Sequence, residues 1–257
     1  MFREDLLNKC RRGARLEAHD CDIGPECFTN INNSFDTECL PVYIPELFSV
    51  VDTAELVALI RARPFATLVS AGPGGLEATH LPTVLKTEGE RPALIECHVA
   101  RANPQWKEFS GGRDALMIFG GQEGYIRPGW YASKGIDGKV VPTWNYAVVH
   151  AHGRAVAIDD RAWLDRHVSE LTAQQEHDQP APWATSDAPR SYLEAMLRGI
   201  VGIRFEITRL EGKCKMSQNR STVDRAGVIH GLRARDNAGD ADLADLVERV
   251  DRARDRG

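Results

Sequence analysis

The run Thr143–Ile158, TWNYAVVHAHGRAVAI, constrains the fold most, because it reads as one strand long enough to bend around a closed sheet. Short β-rich runs precede it, separated by turn chemistry. They are Phe65–Ser70, a Gly72-Pro73-Gly74-Gly75 turn, Leu76–Leu85, a Glu88-Gly89-Glu90-Arg91-Pro92 loop, Ala93–Val99, Ala115–Phe119 and Tyr125–Ile126. Runs joined this closely predict an antiparallel meander, and Gly202–Leu210 returns a further strand to it. The expected fold is mainly β with peripheral helices, the sheet closing into a barrel.

Helical signals surround these strands. Asp52-Thr53-Ala54-Glu55 reads as an N-cap with a glutamate at the third helical position, Leu56, Val57 and Ile60 share one face, and Pro64 stops the helix. Further helices are expected from Asp160, carrying Trp163, Leu164, Val168 and Leu171, and from about Ala188, carrying Tyr192, Met196 and Leu197. A short one begins near Thr222. Leu243, Leu246, Val247 and Val250 recur at helical spacing amid dense Asp and Arg, which predicts an exposed amphipathic tail helix. The chain thus divides into an appended, poorly packed segment (1–41), a barrel domain with helices (42–232) and the tail (233–257).

With 257 residues, 42% of them hydrophobic and 27% charged, the chain can bury a real core. Its formal net charge of −5 argues against a broad electropositive face for nucleic-acid phosphates. No apolar run approaches the ~18 residues of a membrane-spanning helix, and Met1-Phe2-Arg3-Glu4-Asp5 begins no signal-peptide core, so a cytoplasmic location is expected. Cys10, Cys21, Cys27 and Cys39 cluster in the extension at spacings that fit no zinc ligand pair, and read as reduced thiols.

Four stretches carry chemistry. In His98-Val99-Ala100-Arg101-Ala102-Asn103-Pro104-Gln105-Trp106, imidazole, guanidinium, carboxamide and indole follow an apolar strand. His98 could ligate a metal, bond a cofactor edge or be a satisfied core histidine; Arg101 can fork onto a phosphate, and Asn103 can donate to and accept from a heterocycle. Thr79 and His80 alternate along a strand ended by Pro82, so they face opposite ways. Thr143, Trp144 and Asn145 pair a stacking surface with polar handles, a buried barrel tryptophan being the alternative. Lys213, Lys215, Ser217, Gln218 and Arg220 form a basic cluster suited to a phosphate or carboxylate, or a solvated loop. His150 and His152 share a strand face at chelating spacing, but no carboxylate or third histidine lies near them in sequence to complete a metal site, and the pair reads instead as a polar barrel face or dimer rim. No phosphate-binding glycine loop, nucleophile elbow or zinc-protease signature is present, so no catalytic residue is assigned.

In this order the segments Ala78-Thr79-His80-Leu81-Pro82, His98–Trp106, Val141–Tyr146 and Lys213–Arg220 resemble the motifs of the PaiB-type FMN-binding negative transcriptional regulators. The likeness runs from about Val42 to about Leu232; Cys97 stands where the family usually has Gly, and Cys214 where it usually has Trp. The resemblance implies an FMN-binding split β-barrel similar to the pyridoxamine-phosphate-oxidase-like flavoproteins, with cofactor sites formed between the subunits of a homodimer. It implies that Arg101 and Lys215 neutralise the FMN phosphate, that Thr79, Asn103, Ser217 and Gln218 supply hydrogen bonds, and that His80, His98, Thr143 and Trp144 complete the cofactor set. The chain is also similar to the piperazate synthases, a haem-dependent branch that closes an N–N bond in N5-hydroxyornithine; there haem b replaces FMN and His98 is the iron ligand. Direct DNA binding is not expected of this acidic chain, and a regulatory label then describes a metabolic effect.

A chain that begins at residue 42 is expected to unfold cooperatively with little change in midpoint. Insolubility or a collapsed melting midpoint would show that the extension packs on the body.

Overall fold

The computed structural model describes residues 42–235 and 237–254; the extension, with its expected loose packing and its cysteines, lies outside the described residues. Within them, eight strands form one antiparallel sheet: β1 (Ser49–Val50), β2 (Phe65–Gly72), β3 (Gly75–Pro82), β4 (Val84–Glu88), β5 (Arg91–Ala100), β6 (Arg113–Ile126), β7 (Thr143–Ile158) and β8 (Ile200–Lys215). The hydrogen-bonded path is β3-β2-β6-β7-β8-β5-β4, with β1 added to β8 at Ser49 opposite Lys213. Around this sheet lie α1 (Thr53–Ala62), α2 (Lys134–Asp137), α3 (Arg161–Glu176), α4 (Arg190–Arg198), α5 (Thr222–Arg235) and α6 (Asp240–Arg254). The mainly β class with peripheral helices is as expected.

The expected closure of the sheet is not. The path ends at β3 on one side and β4 on the other, and no ladder joins them. These two edge strands are nevertheless consecutive, separated only by Thr83, so the Leu76–Leu85 run is one chain segment bent between the two edges. Thr83 is buried, its N–H and hydroxyl both donate to the Pro64 carbonyl (2.9 and 2.8 Å), and its carbonyl accepts from Gln174 Nε2 at 3.0 Å. The barrel is therefore split along its ladder and bridged by covalent chain.

Long strands permit this wrapping because they bend where their register slips. Slips fall between Gly120 and Glu123 of β6, between His152 and Gly153 of β7 and between Lys86 and Thr87 of β4. At Gly153 a Cβ would come 2.1 Å from the Glu206 carbonyl and 2.6 Å from the Phe205 ring, so the closest approach of β7 and β8 requires glycine. Along β7, Asn145, Ala147, Val149, Ala151, Gly153 and Ala155 are buried while Tyr146, Val148, His150 and His152 are half-buried, the period-two pattern of a strand with one face inward. The interior is filled by Leu68, Ile95, Met117, Phe119, Val149, Ile203 and Phe205, each stabilising by about 1.5–3 kcal/mol on removal from water.

Several boundaries move once pairing is known. Ala115–Phe119 and Tyr125–Ile126 are parts of one strand, β6, because β7 pairs along both sides of its slip. The segment Lys213–Lys215, expected in a loop, is strand, held by β1 and β7. The Asp52 cap is present, its side chain accepting from Ala54 N at 2.8 Å, and Leu56, Val57 and Ile60 are buried as expected. The helix near Thr222 is longer than expected, running to Arg235.

The tail helix is also corrected: α6 is not exposed along its apolar face. Leu243, Ala244 and Val247 are fully buried in a second cluster with Val228 and Leu232 of α5, Ile126 of β6 and Met216. Amphipathic spacing is the same for a helix facing a partner and one facing solvent, and here α5 supplies the partner. Among the described residues no helix is long and apolar enough to cross a membrane. Leu243→Ala is expected to cost about 2–5 kcal/mol in a urea melt, the usual penalty for emptying a core site; a loss below about 0.5 kcal/mol would mean the tail is not part of the folded body.

Candidate functional site

The two ends of β8 divide the candidate residues. At its Ile200 end β5 presents His98 opposite Gly202. A Cβ at Gly202 would fall 2.2 Å from the Trp163 ring, so glycine there lets the indole of α3 lie directly on the strand. Trp163 stacks on His167 one turn later (centroids 5.0 Å apart, planes 21° apart), and His167 meets His98 edge-on, its Nε2 lying 3.1 Å from His98 Nδ1. The Arg166 guanidinium lies 5.5 Å from the Trp163 ring centre and forks onto buried Glu96 at 3.0 and 3.1 Å. Lys86 and Glu170 extend this ion network. Glu96 and His98 thus face α3, while Cys97 between them points into the core, where burial raises its thiol pKa far above the usual range and leaves it inert.

The next residues of the motif brace one another. Arg101 donates to both oxygens of Asp159 (2.9 and 2.5 Å) and to the Arg198 and Ile200 carbonyls, so its charge is already matched and its fork already used. Its pKa is raised first by the hydrogen bond to Asp159, whose own is lowered by the same bond. Asn103 caps the following turn through Gln105 N (2.9 Å) and donates to Thr79 Oγ1 at 2.9 Å. Trp106 Nε1 returns to the Arg101 carbonyl. Gln105, fully buried, spans to Ser70 and the backbone of β2 and β3, and its Oε1 has no partner among the described residues. His80 points away from Thr79, as alternation requires, and stacks on Phe65 at 6.4 Å.

At the other end of β8, Lys215 Nζ donates to Thr143 Oγ1 at 2.6 Å, and Lys213 lies 5.6 Å from the ring centres of both Tyr43 and Tyr146. Among the described residues, neither lysine has a carboxylate within ion-pair distance. Buried Asn145 exchanges hydrogen bonds with Ser217 Oγ (3.0 and 3.2 Å). Ser217 holds φ +64°, a left-handed conformation costly for a non-glycine residue and frequent at functional sites. Gln218 closes the turn by accepting from Met216 N and donating to the Cys214 carbonyl, both at 2.5 Å. Trp144 is exposed, not a buried barrel tryptophan, and donates to Glu123 at 2.5 Å. Beside this end a cavity of about 720 Å³ opens between α1, β7, β8 and α6, walled by Leu56, Leu59, Val149 and Cys214 and reached by Gln218 and Arg249. Burial pushes the Cys214 thiol up to about 11.

The structure therefore brings Thr79 together with Asn103, and Thr143 with Lys215 and the Ser217 turn. The two groups sit on different strands: Thr79 of β3 is in register, through β2, β6 and β7, with Leu210 of β8, while Asn103 follows the end of β5 that pairs with Ile200. Trp163, His167, Arg166 and Glu96 were missed as site residues. Their signal was the i, i+4 pairs Trp163/His167 and Arg166/Glu170 on one helix, which register with a strand only in three dimensions.

Burial, then the charges of His98, Arg166 and Lys86, pushes His167 down to about 3, and burial also lowers His98. Both rings are held neutral in the folded state, whereas an unfolded histidine protonates below about 6.5. Stability from the neutral ring is full above about pH 6.5 and lost as pH falls from there toward 3. The stability difference between wild type and His167→Gln, from urea melts, should thus shrink by up to about 1.4 kcal/mol per unit as pH drops from 6.5 to 4. A difference independent of pH would show that His167 is not held neutral.

Comparison with known proteins bears out the family expected from the motifs. The pattern described as "Putative FMN-binding domain" matches residues 42–209. The protease synthase and sporulation protein PAI 2 of Bacillus subtilis is 32% identical over 208 residues, covering 80% of this chain and 97% of that protein. An uncharacterized protein of Aspergillus fumigatus is 32% identical over 222 residues, 69% of this chain and 85% of its own length. Among solved structures, the flavocytochrome Anf3 of Azotobacter vinelandii aligns at TM-score 0.49 and 16% identity, over 74% of this chain and 79% of that one. With the pattern spanning most of the chain and a bacterial relative aligned over nearly its whole length, this protein belongs to the FMN-binding domain family.

Proposed function

We propose that the protein holds FMN between two copies of the chain and acts as a flavin-bound regulator of the PaiB type. The observation that carries this reading is the pair of lysines at the end of β8, which lack carboxylate partners among the described residues, Lys215 at the Thr143 hydroxyl and Lys213 at the Tyr43 carbonyl. A phosphate dianion supplies the charge they lack. Arg101 is poorly suited to that task, because binding a phosphate would cost it Asp159. Thr79 and Asn103 offer a hydroxyl and an amide for the polar edge of the ring, and they lie on β3 and in the turn after β5 rather than on β7 and β8. A two-fold dimer that sets the Thr79/Asn103 pair of one copy against the Lys215 end of the other brings both sets to one cofactor, twice. FMN, when bound, would supply two-electron and one-electron redox chemistry. The regulatory role follows from the likeness of the motifs to the PaiB-type regulators and needs no broad DNA-binding face, in keeping with the net charge of −5.

Purified protein reconstituted with FMN should show bound-flavin absorption and sediment as a dimer. Thr79→Val and Lys215→Ala should each weaken flavin binding. Co-expressing the two variants should restore about a quarter of the sites, since half of the dimers are mixed and each mixed dimer has one intact site. If no sites return, and Leu59→Trp in the cavity abolishes binding instead, the flavin is held within one chain.

The pairing of His98 with His167 favours a second reading, a haem protein similar to the piperazate synthases. His167 engages His98 Nδ1 and leaves Nε2 as the atom His98 offers to iron, an orientation of the kind that outer partners impose on ligating histidines. Haem reconstitution that gives a Soret band in wild type and not in His98→Ala would put this reading first.

A further inference from the structure

The outer face of the sheet carries a cluster that the flavin reading does not use. His150 and His152 project from β7 on the half-buried side, and the β7–β8 register sets Glu211 opposite His150 and Arg209 opposite His152. The third group that is distant in sequence is adjacent in space. One ligand atom from each of His150, His152 and Glu211 lies within 4.8 Å of the other two.

We propose that His150, His152 and Glu211 form a binding site for a divalent transition metal such as zinc or iron(II). Two imidazoles and a carboxylate are the donor set of open three-ligand sites for these ions, and the absence of thiolate among the three disfavours copper(I). The Glu211 carboxylate is already turned toward the imidazoles: Oε2 lies 2.9 Å from His152 Nε2, while Arg209 donates to Oε1. Arg209 thereby orients the carboxylate from behind, as outer partners do at metal sites. Val42 N also approaches Oε2, at 3.5 Å.

His150 supplies an independent observation. Its Nδ1 is shielded from solvent and has no hydrogen-bond partner among the described residues, a state that costs about 1–3 kcal/mol unless something fills it. Metal ligation accounts for an imidazole kept there beside a second imidazole and a carboxylate. Bonds of about 2.1 Å require ligand atoms roughly 3–3.5 Å apart, a small inward shift from their present spacing of at most 4.8 Å. The His152 and Glu211 side chains keep 16% and 12% of their surface exposed, which leaves a path for the ion and for water as a fourth ligand. This inference stands whether or not the lysines bind a flavin.

Full-length protein stripped with a chelator would be titrated with Co²⁺, following heat and visible absorption. One ion per chain should bind, with ligand-field bands but no thiolate charge-transfer band. His150→Ala, His152→Ala and Glu211→Gln should each weaken binding about tenfold or more. Co²⁺ should raise the melting temperature of wild type and not that of the variants. His150→Gln, which keeps the volume and a polar group, guards against loss by misfolding and should bind as weakly as His150→Ala. The site is overturned if wild type takes up no ion, if the triple variant binds as wild type does, or if a thiolate band shows that the cysteines hold the metal.

Discussion

The corner at Thr83 governs the rest of the molecule. A two-edged sheet of this length would expose both β3 and β4 to pairing with other chains, yet the two are ends of one bent segment, so wherever the chain places one edge it must place the other. Three hydrogen bonds pin the bend, two to Pro64 at the start of β2 and one from Gln174 on α3. Burial makes them matter, because a threonine turned inward without partners would leave its backbone and hydroxyl unpaired away from water. Pro64, which ends α1, is therefore also an anchor of the barrel.

With the edges tied together, curvature falls to the middle strands, and β6, β7 and β8 are long and slipped in register for that reason. Length then sets the distribution of chemistry. One end of β8 carries neutral histidines under a tryptophan, walled by ion pairs whose charges cancel; the other carries lysines with no carboxylate in ion-pair distance among the described residues. The first environment suits a neutral imidazole ligand or a flat apolar ring, the second an anion.

Much of this was legible residue by residue. The Thr79/His80 alternation, the Asp52 cap and the inward face of α1 follow from local periodicity, and local periodicity survives folding. Arg101 and Asn103 were recognisable as unusual side chains in an unusual turn, but their composition does not distinguish a cofactor contact from a brace. Asp159, which takes the guanidinium, lies 58 residues away, and only packing reveals it. Glu211 illustrates the same limit: a search for a carboxylate near His150 and His152 along the chain fails, although β8 puts one directly opposite. The buried face of α6 was hidden for a related reason, since Leu243 and Val247 would repeat identically on a helix in solvent.

By itself the amino-acid sequence determined the mainly β class, the helix starts and stops, the polar motif residues and the family they signal, because each depends on spacing within a few neighbours. The tertiary structure alone decided that the barrel is split rather than closed, that Arg101 is neutralised by Asp159, that His98 meets His167, and that Lys215 meets Thr143. These are facts of register and of long-range electrostatics. One residue of slip exchanges the faces of a strand, and a charge is matched or unmatched only by what folding sets beside it.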